Sequence, residues 1–111
     1  MFTYPRENLA VVFGNESLSR GMTGAAYAQA FPFAVKNAMA LGAATQAAPV
    51  NGKESWTTTG NIVADPKQSV VVTIVQGGNQ MWRTVAIRLN GMSPDTDSYR
   101  RLRDRLFASI R

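Results

Sequence analysis

The chain has 111 residues, 45% of them apolar and 17% charged, which is the length and apolar share of one self-supporting globular domain rather than of a disordered segment. It contains no cysteine and no histidine, so disulfides, thiolate metal sites, cysteine nucleophiles and imidazole bases or ligands are all excluded. Twelve Lys and Arg against seven Asp and Glu give a net charge of +5. Arg100, Arg101, Arg103, Arg105 and Arg111 crowd the C-terminal end, so the basicity belongs to the last element and the body is nearly neutral.

Residues 1–8 lead into the apolar run Leu9 to Phe13, which is short, β-branched at its centre and closed by Gly14-Asn15, and predicts a strand. Residues 16–24 read as a loop entering a helix capped near Thr23. From Gly24 to about Ala48 the composition turns to alanine, with Lys36 as the one formal charge. Alanine is the best helix former, so the expectation is one long helix, kinked or restarted at Pro32 and ended by the breakers Pro49 and Asn51-Gly52. A membrane span over this stretch is not expected, because alanine is barely apolar on insertion scales and Lys36 would lie near the bilayer centre.

A period of two follows. Residues 54–64 alternate Trp56, Thr58, Gly60 and Ile62 with Thr57, Thr59 and Asn61, the pattern of a half-exposed strand. Residues 69–76 (SVVVTIVQ) are apolar on both faces, as a strand covered above and below would be. Gly77-Gly78-Asn79 predicts a hairpin turn, and a returning strand runs from Met81 to Asn90. Asp95 is the predicted cap of a last helix, amphipathic through Tyr99, Leu102, Leu106 and Ile110, with Phe107 beside that stripe. Together these predict a single α+β domain over residues 1–111, in the order β-α-β-β-β-α. Its sheet is small and antiparallel, of three to four strands, with one long Ala-rich helix and one C-terminal helix.

No catalytic constellation emerges. The seven carboxylates are not set in apolar runs that would raise a pKa, and Asp95 and Asp97 suit the positive end of a helix dipole. Three residues, Asp95-Thr96-Asp97, fall far short of a calcium loop. Gly21-Met22-Thr23-Gly24 lacks the lysine and hydroxyl of a phosphate loop. The expectation is therefore a protein that is not an enzyme and carries no cofactor or metal.

The leading functional expectation is an interaction or assembly module, homodimeric or higher or bound to another protein, with Phe31, Val35, Met39, Tyr99, Leu102 and Leu106 as the contact residues. Two helices leave little to spare in covering both faces of a sheet, and a second copy is the simplest cover. An alternative is a nucleic-acid-binding module, in which Trp56 and Trp82 stack on bases while Arg83, Arg88, Arg100, Arg101, Arg103 and Arg105 hold phosphate. Against it, tryptophans in small sheets are usually core, and arginines near a helix C-terminus oppose the macrodipole and pair locally, as Asp104 would with Arg100 or Arg101. A third reading is a small-ligand pocket lined by Phe31, Phe33 and Trp56. The start Met1-Phe2-Thr3-Tyr4 shows no leader, a feature of cytoplasmic chains and equally of exported domains trimmed of one; cytoplasm is slightly favoured.

Overall fold

The computed structural model describes residues 1–110; Arg111, counted above with the C-terminal arginines, lies outside them. Seven antiparallel strands form one sheet: β1 (Phe2–Tyr4), β2 (Leu9–Ser17), β3 (Met39–Leu41), β4 (Thr45–Val50), β5 (Lys53–Ile62), β6 (Ser69–Gly77) and β7 (Gln80–Arg88). They lie side by side in the order β1-β2-β7-β6-β5-β3, with β4 also paired to β5. Among the described residues two α-helices, α1 (Gly24–Ala34) and α2 (Asp97–Ala108), and one 3-10 turn at Pro5–Glu7 complete the fold. The result is a compact α+β domain dominated by its sheet, and neither helix is long and apolar enough to cross a membrane.

The expected three- to four-stranded sheet with one long helix is therefore corrected. The helix stops at Ala34, and residues that alanine content assigned to its second half become β3 and β4. Propensity is a weak prior, and here two neighbours overrule it. Pro32 occupies the last turn of α1 and supplies no N–H to it. β5 then offers a free edge: Met39 pairs with Ile62, Leu41 with Gly60, and Thr45 with Thr57. Asn51-Gly52, read as a helix breaker, is the two-residue turn of the β4–β5 hairpin, with φ of 51° and 77° as a type I′ turn requires. The N-terminal strand is longer than its apolar run, since β2 continues through Gly14-Asn15 to Ser17 against β7. β1 was not foreseen.

The alternation of β6 divides the core. Val70, Val72 and Ile74 join Trp56, Met81, Ala28 and Phe31 beneath α1. Val71 and Ala86 join Leu9, Val11, Tyr99 and Leu102 beneath α2, and Val75 meets Phe107 and Ile110 at its far end. The two helices thus cover opposite faces of one sheet, and β6 is apolar on both sides because both sides are buried. Both helices begin on threonine caps: Thr23 Oγ1 accepts from the Ala26 N–H at 3.0 Å and Thr96 Oγ1 from that of Tyr99 at 3.1 Å. Thr96 takes the cap expected of Asp95, and Asp95 pairs with Arg100 instead.

Candidate interaction surface

The residues singled out for nucleic acid do not share a surface. Trp56 is 3% exposed under α1, whereas Trp82 stacks on Phe13 on the α2 side, ring centroids 5.3 Å apart. Arg83 lies on the α1 face, 5.8 Å from the Phe31 ring centroid, and its Nη1 donates to Tyr27 Oη at 3.3 Å. That hydroxyl donates in turn to Glu16, so the cluster pins α1 to β2 and β7. Burial, and next the bond to Glu16, push the Tyr27 phenol up to about 12, against the opposing effect of Arg83. Arg88 donates to the carbonyls of Glu7 at 2.8 Å and Ser93 at 3.0 Å and so ties two loops together.

On α2, Arg100 bonds Asp95 at 2.9 Å and Asp97 at 3.5 Å, so both carboxylates of the Asp95-Thr96-Asp97 triplet already face a guanidinium. Hydrogen bonding from Arg100 holds the Asp95 carboxyl below its ordinary range. Arg103 lies 5.8 Å from the Tyr99 ring centroid and pairs with Asp104 at 3.0 Å, which replaces the expected pairing of Asp104 with Arg100 or Arg101. Arg101 and Arg105 are exposed one turn apart, and no carboxylate pairs with either among the described residues.

Of the expected contact residues, Phe31, Tyr99 and Leu102 are buried in the chain's own core, and Val35, Met39 and Leu106 are half-buried against it. Phe31 and Trp56 pack together in that core while Phe33 turns away from it, 76% exposed. A trough of about 570 Å³ separates α2 from the β4–β5 hairpin, with Ser55, Thr57 and Thr73 on its floor and Arg103 and Asp104 at its rim. Its hydroxyls are turned inward: Ser55 donates to the Ala48 carbonyl at 2.7 Å, Thr57 to that of Val72 at 3.1 Å, and Thr73 pairs with Tyr99. Arg103 at the rim is bonded to Asp104, and Asp95 at the rim to Arg100.

The contact residues expected on the Ala-rich helix, Phe31, Val35 and Met39, do not include those that α1 leaves exposed. Ala25, Ala26, Gln29, Ala30, Phe33 and Ala34 are all exposed, and no charged residue lies anywhere in the helix. α2 follows the opposite rule, exposing Arg100, Arg101, Asp104 and Arg105 over an apolar inner stripe. Beside α1 the sheet is also open. Val12 shares a row with Val85 and Val72 on the α1 face yet is 43% exposed, because α1 packs over β5, β6 and β7 and reaches β2 through Tyr27 at Glu16, leaving Val12 uncovered. The uncharged run from Gly24 to Val35 was the available signal, hidden by its attribution to one long packed helix.

Comparison of the chain with family models, with curated proteins and with solved structures found no match.

Proposed function

We propose that this protein is a non-catalytic assembly module that associates with itself through the α1 face. The observation that carries the reading is the contrast between the helices. A helix without a formal charge on any side, with Gln29 as the one amide among alanines and aromatics, suits an interior, and the described residues bury only one side of α1. Within α1 this face carries no formal charge, the nearest being Lys36, whose Nζ lies 5.5 Å from the Phe33 ring centroid, and its alanines admit close approach. Light scattering across a dilution series up to about 100 μM tests the proposal at a concentration that detects even weak association. The expected mass is a multiple of the chain mass that falls on dilution and reverts to monomer in Phe33→Asp. Arg105→Ala leaves it unchanged. A monomer throughout the series refutes the reading.

A second reading keeps one specific support, the exposed pair Arg101 and Arg105, which no carboxylate among the described residues compensates. Phosphate binding there would be steeply salt-dependent and would be lost in the Arg101→Glu, Arg105→Glu double variant. A chain that fails to retard short oligonucleotides at low salt has no such activity.

A further inference from the structure

The chain carries two Asn-Gly pairs, Asn51-Gly52 and Asn90-Gly91, and the fold sets both in turns of one kind. Each pair forms the centre of a two-residue turn with both residues left-handed: φ is 51° and 77° in the first, 64° and 68° in the second. Val50 and Lys53 pair across the first turn, and the Met92 N–H closes the second on the Leu89 carbonyl at 3.4 Å. All four residues are exposed. The turns differ at the glycine amide. The Gly91 N–H donates to the Lys67 carbonyl at 2.7 Å, whereas the Gly52 N–H has no hydrogen-bond partner among the described residues. We infer that Asn51 is a site of spontaneous deamidation, and that Asn90, with the same successor in the same kind of turn, is protected from it.

The nucleophile of this reaction is the glycine nitrogen, and water is its only co-reactant. Hydroxide takes the proton of the Gly52 amide, the nitrogen bonds to Asn51 Cγ, and the side-chain nitrogen leaves as ammonia with a proton from water. A five-membered imide remains. Water then opens it at one of two carbonyls. Breaking the new bond gives aspartate, and breaking the original peptide bond gives isoaspartate. Glycine permits the step because no Cβ crowds the approach. At Asn90 the nitrogen must first give up its bond to Lys67, a handicap of about fivefold for one hydrogen bond of ordinary strength. The acceptor is itself braced, since the Lys67 N–H donates to Asp65 Oδ1 at 3.3 Å and the Gln68 N–H to the Asp65 carbonyl at 2.9 Å.

The modification falls where β4 has least to hold it. The pairing of β4 with β5 is irregular between Ala47 and Val50, so Val50–Lys53 is the pair that fixes the end of the hairpin. Isoaspartate routes the main chain through its own side chain and adds one carbon to a turn that two residues close. Val50 packs against the cluster of Val75, Phe107 and Ile110, so the strain is passed to the seat of α2. Asn51 also lines the trough with Arg103 and Asp104. Either product therefore adds a carboxylate to that lining and lowers the net charge of +5 by one.

The full chain is aged at mildly alkaline pH and physiological temperature, natively and in denaturing urea, and its peptides are mapped by mass spectrometry with isoaspartate separated from aspartate. The urea rates supply the reference for each site without the fold. Relative to those references, native Asn51 is expected to convert at least about fivefold faster than native Asn90. Equal conversion, or faster conversion at Asn90, overturns the inference, as does a native Asn51 that stays intact while both sites convert in urea. Hydrogen exchange on the isoaspartate fraction is expected to show protection lost first at residues 45–50. Unchanged protection there overturns the coupling to β4.

Discussion

The Tyr99 hydroxyl lies 2.7 Å from Thr73 Oγ1, in a buried site under α2. The same phenol oxygen is 2.8 Å from Thr84 Oγ1, and Thr73 and Thr84 are cross-strand partners on β6 and β7. One side chain of α2 therefore satisfies two polar groups at the centre of the sheet, which would otherwise be buried without partners. Tyr99→Phe leaves both threonines short of a bond and is expected to cost about 1–3 kcal/mol. Urea denaturation checks this, with an unchanged slope. Thr73→Val and Thr84→Val in the Tyr99→Phe background should each restore part of the loss.

Stability at high pH reports two phenols. Burial is the main cause that raises Tyr99, opposed by its threonine bonds, and it likewise raises Tyr27, to about 12. Both ionise more readily in the unfolded chain, near the ordinary 10.0. The folded state therefore retains protons that the unfolded state loses. The contribution is complete below pH 10 and is lost as the pH rises toward the folded values. Alkaline denaturation should show the loss beginning near pH 10, and Tyr27→Phe should remove one of its components.

At the acid end the sign reverses. Asp95 is held below its ordinary 3.8 chiefly by the hydrogen bond from Arg100, so its contribution is present above that value and lost as the pH falls through the folded one. Asp95→Asn should flatten the acid limb of the stability curve. The pair is exposed, so the difference should be small and should shrink further in high salt.

Gly60 marks where β3 crosses closest to β5. A Cβ there would fall 1.9 Å from the Ala40 carbonyl oxygen and 2.9 Å from Leu41 Cα, both of them backbone atoms that a rotamer change cannot move. Gly60→Ala is expected to cost about 1–3 kcal/mol. Hydrogen exchange should locate the damage, with protection lost first at residues 39–41, while the β6–β7 hairpin stays protected.

Where an element's own residues sufficed, the sequence already contained the answer. β6 is apolar at successive positions and lies at the centre, Tyr99, Leu102 and Ile110 of the predicted stripe are buried while Phe107 beside it is buried more deeply than Leu106, and Thr23 caps α1. The lack of thiol and imidazole restricted the chemistry before any fold was known. Residues 39–50 were decided elsewhere, because an alanine-rich segment serves as helix or strand, and the open edge of β5 supplied the backbone partners that made it strand. The same holds for surface chemistry. Register places Trp56 opposite Ile74 and Trp82 opposite Val75, successive residues of β6 that face opposite sides, and only the offset of α1 exposes Val12, since burial depends on how strands pair and what covers them rather than on any stretch of sequence.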